Sequence, residues 1–293
     1  RGARLPREAA RLARHELIVV ASLDAGEQET EIFLAAPVAE ADLRQHLPHL
    51  FAREASVEWN EREQCVMAAQ RERLGQITLA EKPLPDPNAA LLRTAMRHGI
   101  LQLGIEALPW SPELRLWQAR VLSLRHWLPE ENWPDVSDEW LAAHLEEWLE
   151  PYLDGCTRRT HLARLDLGMI LAQLLDRRDQ RRLDEGAPTH LAVPSGSHIR
   201  LQYTPGESPV LAVKLQEMFG LGDTPRVAWG RVPVTLHLLS PAGRPMQITQ
   251  DLRNFWNSTY NEVKKELRGR YPKHPWPDDP WNAPPTRRAK RRS

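Results

Sequence analysis

Cysteine is scarce in this chain: Cys65 and Cys156 are its two cysteines, far apart and with no CxxC pair, which excludes a disulfide scaffold. Such sparse thiols suit a reducing, cytoplasmic setting, where each is an ordinary buried or half-buried side chain. No apolar run approaches the roughly 20 residues that a membrane-spanning helix needs, and no signal-peptide pattern opens the chain. A dominant charge is missing too. The 39 Lys and Arg balance 39 Asp and Glu, so a nucleic-acid partner would have to be met by a local patch. Familiar catalytic signatures are absent as well: there is no G-x-x-x-x-G-K-[ST] phosphate loop, no HExxH and no GxSxG elbow.

What is present is globular in composition, with 27% charged and 41% hydrophobic residues over 293 positions, enough for two or three domains with their own cores. Charge is distributed unevenly. Arg1, Arg4, Arg7, Arg11 and Arg14 make the start basic, and residues 264–292 do the same for the end.

In chain order, residues 1–14 place Leu5, Ala9 and Leu12 at helical spacing and are expected to be the tail of an upstream helical domain. Residues 15–81 follow as a β module. Strand-like runs at 15–24 and 30–38 flank a turn at Gly26, a short helix covers 40–51, and further strands at 55–59, 64–73 and 75–79 complete it. Strands, one helix, then strands suit a small, partly open barrel of the OB type. The alternating prolines of KPLPDP, residues 82–87, read as a linker.

Residues 88–185 are expected to be a helical domain. Ser111-Pro112-Glu113 signals a helix start, and Leu114, Trp117, Val121, Leu124 and Leu128 then give one apolar face. Ser137-Asp138-Glu139 opens another helix, and a third is expected from 160 to about 182, ending in mixed Arg and Asp. Residues 187–275 read as an α+β domain: strands near 190–193, 198–203 and 232–239, a short helix near 211–219, and a long helix from 251 to 270 that turns Trp256 and Val263 inward. A Pro/Trp strip and basic tail, residues 276–293, close the chain.

No catalytic residue and no metal site is assigned. Ser195-Gly196-Ser197-His198 sets hydroxyls beside an imidazole, but strand neighbours point to opposite faces, and a serine-capped turn explains the run. His46 and His49 are split by Pro48, and Asp278-Asp279 lies between prolines in a surface segment. More informative is the last helix. Arg253, Asn257, Tyr260, Lys264 and Arg268 step by three or four, with Lys265 and Arg270 beside them, so cations and a ring would share one face. Cations displace counterions from phosphate and a ring offers a base a stacking surface, making Arg253, Tyr260, Lys264, Lys265, Arg268 and Arg270 candidate nucleic-acid contacts. An ordinary solvated face of an amphipathic helix has the same spacing. Trp276 and Trp281 either cover their own domain or form a docking strip for a protein partner. Arg287, Arg288, Lys290, Arg291 and Arg292 would add affinity for phosphate irrespective of sequence.

Four stretches are long and unusual together: PSGSHIRLQY (194–203), LQEMFGL (215–221), WGRVPVTLHLLSP (229–241), and the run from Leu238 to Trp281. With them the chain resembles the C-terminal region of the HrpB family, bacterial DEAH-box (DEAH/RHA-type) ATP-dependent helicases. The resemblance implies an OB-like small β-barrel lining an RNA path; with the helical block and the α+β C-terminal domain read from the residues, the expected architecture is multidomain α+β. The resemblance also implies a whole protein with two RecA-like motor domains, ATP and Mg as its cofactors, and 3′ to 5′ movement along a single strand. Neither the phosphate loop nor Asp-Glu-Ala-His occurs here, so this chain is expected to be inactive alone, with no cofactor of its own. Its expected role is accessory, guiding single-stranded RNA, with DNA left open, or regulating the motor. The alternative is a protein-interaction scaffold without its own nucleic-acid binding.

Overall fold

Strand-forming residues dominate the early chain and helix formers its middle, and the fold follows that order. The computed structural model describes residues 3–5, 7–23 and 30–287. The turn at Gly26, Arg1, and the tail residues Arg288, Lys290, Arg291 and Arg292 lie outside the described residues. The chain divides into two units, Arg1–Ala95 and Met96–Ser293.

In the first unit β1 (Ala3–Arg4) pairs parallel with β3 (Thr30–Pro37), which pairs antiparallel with β2 (Ile18–Leu23). Helix α1 (Glu40–His46) and a 3-10 turn at Pro48–Leu50 lead to an antiparallel meander of β4 (Phe51–Asn60), β5 (Cys65–Leu74) and β6 (Ile77–Pro83). Asn60 Oδ1 accepts the Glu63 amide at 3.0 Å and fixes the β4–β5 turn. The OB-type barrel needs correction: the strands form two separate three-stranded sheets, and neither closes among the described residues. Residues 38–50 go into α1 and the 3-10 turn instead of a strand that could bridge the sheets, and Pro83 ends β6 without a ladder donor. The linker is correspondingly shorter than expected, because Lys82 and Pro83 belong to β6.

Helix α2 (Ala89–Leu103) runs across the division between the units. In the second unit α3 (Pro112–Trp127) starts where Ser111 Oγ accepts the Leu114 amide at 3.2 Å, and it buries Val121 and Leu124. Ser137 likewise caps α4 (Asp138–Ala143), which is followed by α5 (Leu145–Trp148). The single helix expected over 160–182 is three pieces: a 3-10 segment Arg159–Arg164, α6 (Leu167–Ala172) and α7 (Arg177–Gly186). The breaks have a cause. Asp166 accepts the Met169 amide and Asp176 the Asp179 amide, so each aspartate starts a new helix in place of continuing the old one.

A five-stranded sheet follows, ordered β13-β12-β9-β8-β7, from β7 (His190–Ala192), β8 (His198–Gln202), β9 (Val210–Lys214), β12 (Thr235–Leu239) and β13 (Pro245–Thr249); β10 (Arg226–Val227) and β11 (Val232–Pro233) form a small ribbon. One expectation changes here: 211–214 is a central strand, with only a 3-10 turn at Leu215–Glu217 after it; the edge strand Pro245–Thr249 is an addition to the expected elements. β9 runs parallel to β12 and alternates buried Leu211 and Val213 with half-buried neighbours, the period of a strand.

One face of the sheet is covered by α8 (Leu252–Asn254), a π-helical turn Phe255–Thr259 and α9 (Tyr260–Arg270). Leu236, Leu238, Phe219, Phe255, Trp256, Tyr260, Val263 and Leu267 share this core. Its rings meet at centroid distances of 5.0–6.2 Å in tilted and edge-on pairs, geometry worth about 0.5–1.5 kcal/mol per pair beyond area burial. No helix among the described residues is long and apolar enough to cross a membrane.

Candidate nucleic-acid interface

The final helix begins where Asp251 Oδ1 accepts the Asn254 amide at 2.9 Å and stops before Pro272, which cannot continue it. Between these ends the π-helical turn inserts one extra residue. That rotates everything after Thr259 by about 100° relative to α8, the angle of one helical residue. The stripe expected from Arg253 to Arg268 is therefore split. Arg253 is on α8, exposed and paired with Asp223 at 2.8 Å, whereas Tyr260 turns into the core and is 1% exposed. Its ring cannot receive a base; its hydroxyl donates to the Pro277 carbonyl at 2.9 Å, and burial pushes the phenol pKa up.

Lys264 lies against the Tyr260 ring, 5.6 Å from its centroid, and donates to Asp278 at 2.8 Å. That contact holds the Asp278 carboxyl below the usual carboxylate range. Arg270 pairs with Glu266 one turn back. Lys265 and Arg268 are different: both are exposed, and neither has a hydrogen bond or ion pair among the described residues. Lys273, also exposed and unpaired among them, sits just past the helix end. Spacing alone missed it, because it follows the proline that ends the helical pattern.

Residues 272–287 form a strap tied to their own domain. Gly220 N donates to the Pro280 carbonyl at 2.9 Å, Trp276 Nε1 to the Tyr271 carbonyl at 2.9 Å, and Thr286 N to the Gln216 carbonyl at 3.0 Å. Gly220 has φ +83°, a conformation that suits glycine, and a Cβ on it would sit 3.5 Å from the Ala283 carbonyl. Trp276 and Trp281 are half-buried against the sheet core, so most of each ring is used internally. The strap also carries His274, which meets Gln216 Nε2 through Nδ1 at 3.1 Å; burial, with Lys214 nearby, holds its pKa below the usual value.

Ser195 and Ser197 are brought together, though not for nucleophilic chemistry. Both hydroxyls donate to one oxygen of Glu217, at 2.7 and 2.5 Å, around a turn whose Gly196 has φ +78°. A hydroxyl that donates to a buried carboxylate is committed to holding a loop. Cys65 and Cys156 are free and buried.

Two families match this chain. One, described as ATP-dependent helicase C-terminal, covers residues 148–280, from α5 to the strap; the other, described as the connector region of the ATP-dependent RNA helicase HrpB, covers residues 50–84, the β4–β6 meander. Over 96% of its length the chain is 44% identical to the ATP-dependent RNA helicase HrpB of Escherichia coli strain K12, of which it spans 35%. Two solved structures are also similar. The E. coli DExH-box NTPase HrpB aligns with a TM-score of 0.68 at 44% identity, over 95% of this chain and 35% of that one. The E. coli DEAH/RHA helicase HrpB aligns with a TM-score of 0.59 at 39% identity, over 94% and 34%. The chain thus spans about a third of the length of the relatives it matches.

Proposed function

Because the chain belongs to the HrpB family of ATP-dependent helicases, matching the C-terminal region, we propose that it steadies a single RNA strand beside an ATP-driven motor. RecA-type motor domains with ATP and Mg would supply the work, and this region a path for the strand. The observation that carries the reading is a set of exposed cations on and just past the last helix, Lys265, Arg268 and Lys273, unpaired among the described residues, in a chain whose net charge is zero. Unpaired cations release counterions from phosphate, whereas Arg253, Lys264 and Arg270 are already neutralised by carboxylates. With Tyr260 buried, contact on this face is through charge. Fluorescence anisotropy of a labelled single-stranded RNA with the chain and with K265Q/R268Q tests it: weaker binding by the variant supports the face, and equal binding removes it.

A second reading, docking on another protein surface, is favoured by the first unit. Val19, Leu23, Phe33 and Leu34 are 49, 55, 63 and 61% exposed there, while Ile32 between them is buried. The register of β3 slips at Phe33, where Leu34 faces Ser22 and Ile32 faces Leu23, and this bulge leaves both Phe33 and Leu34 exposed. Apolar surface of this kind marks an interaction site, and the helicase's own motor domains are the partner this reading favours. It predicts partner binding that is insensitive to salt and weakened by F33E.

A further inference from the structure

Trp229 is 47% exposed, and its backbone is in a conformation that bulky residues avoid. Its φ is +53°, after Ala228 at +49° and before Gly230 at +86°. Left-handed backbone at two successive non-glycine residues is strained and persists where its surroundings enforce it.

Those surroundings are explicit. Arg226 donates to the carbonyls of Gly230, at 2.5 Å, and Arg231, at 3.0 Å, and the Ala228 amide donates to the Gly186 carbonyl at 2.7 Å. Gly186 ends α7, and a Cβ on it would stand 2.6 Å from Cη2 of Trp229, so glycine is what lets the indole lie against the helix. One turn back, the Arg182 guanidinium is 5.2 Å from the Trp229 ring centroid and 5.4 Å from that of Trp133. Arg182 is itself fixed by Glu131 and by Asp179.

The indole is therefore immobilised along one edge, backed by a cation and open to solvent. Nearly half of the Trp229 surface stays exposed at this strained backbone, and the arrangement suits a flat π-ligand, which would find the surface already ordered. Three of the carboxylates nearby are already engaged by arginines. Glu131 and Asp179 are engaged by Arg182, and Glu130 by Arg231. Arg178, exposed and unpaired among the described residues, lines with Asn132, Trp133, Asp176, Asp179 and Arg182 an open cleft of about 190 Å³. We propose that Trp229, backed by Arg182, is a stacking platform for one unpaired base of a single strand. The proposal rests on the reading that this chain binds single-stranded RNA, and it adds a contact away from the last helix, where Tyr260 is unable to stack.

The test compares the full chain with W229A and W229F on two labelled probes of equal length, oligouridylate and an abasic oligonucleotide with the same phosphates. W229A should weaken oligouridylate binding by about 5- to 100-fold, the range of one base–aromatic stack, and leave abasic binding and the salt slope unchanged; W229F should retain most of the affinity. If W229A fails to fold, W229L keeps apolar contact with Gly186 without the π-face and serves in its place. Equal oligouridylate binding by W229A or W229L and wild type, with K265Q/R268Q still weakened, overturns the platform and leaves the RNA reading standing. Binding of neither probe, with binding of a proline-rich peptide that W229A abolishes, overturns both.

Discussion

Arg120→Met removes a guanidinium that joins α3 to the end of α7 and keeps an apolar stem of similar length. The Arg120 side chain is 6% exposed; its Nε donates to the Ala187 carbonyl at 2.5 Å, and Nη2 donates to the Leu183 carbonyl at 3.2 Å and to Asp184 at 2.6 Å. These three contacts are unequal. Asp184 is 77% exposed, so its ion pair adds little. Leu183 O also accepts the Ala187 amide at 2.9 Å and keeps a partner in the variant. Ala187, fully buried, loses the donor to its carbonyl, and a buried orphan of this kind costs about 1–3 kcal/mol. The variant no longer desolvates a guanidinium, which places the net loss near 2 kcal/mol. For a unit of about 200 residues that lowers Tm by about 4–8 °C. Urea unfolding of wild type and R120M should show a lower midpoint with an unchanged m-value, and R120K should fail to recover it, because one ammonium cannot reach both carbonyls. A loss under about 0.5 kcal/mol would refute the assignment of Arg120 as the tie between α3 and the end of α7.

Asp278→Asn releases the Lys264 ammonium and should steepen the salt dependence of RNA binding by up to about one phosphate contact, a slope change of about 0.7; an unchanged slope would keep Lys264 out of the interface. Tyr260→Phe keeps the buried ring and removes the hydroxyl bond to Pro277, so it should cost about 1 kcal/mol in urea unfolding and leave RNA affinity unaltered, whereas a loss of affinity would mean that the ring reaches the ligand after all. His274 is held below the usual histidine value of 6.5, so the unfolded chain takes up its proton before the folded one. Its contribution to stability is intact above that value and is lost as pH falls through the folded pKa. Urea midpoints should therefore fall further between pH 7.5 and 5.5 in wild type than in H274Q, and parallel falls would contradict the half-buried imidazole whose pKa is held down.

Local chemistry was legible in the sequence where a side chain meets its own backbone. Ser111 and Ser137 cap helices as their patterns predict, and Trp256 and Val263 point inward. It failed where partners are distant and, at two aspartates, where a local cap cuts through an apolar pattern. Leu211 to Lys214 is short and apolar, equally suited to helix or strand, and its parallel pairing with β12, 25 positions on at Leu211↔Leu236, decides the matter. Asp166 and Asp176 read as helix interior because their capping bonds compete locally with a helix that apolar spacing favours. The basic stripe was the most consequential departure. Counting by three and four from Arg253 assumes a uniform helix; the π-helical turn breaks that count, and Tyr260, four residues after Trp256 and three before Val263, shares their core. No sequence signal marked that turn. The carboxylates that neutralise Arg253 and Lys264, Asp223 and Asp278, lie 30 and 14 residues away and are joined to them by the fold.

The most direct test of the account is the salt dependence of single-stranded RNA binding by this chain, read as anisotropy from low to moderate salt beside K265Q/R268Q. The account predicts a linear fall of log affinity with log salt, and a slope shallower by about 1.4 in the variant, two phosphate contacts at about 0.7 each. Binding that ignores salt, or a slope that the variant shares with wild type, would contradict it and shift the role of this region to docking through its apolar first unit.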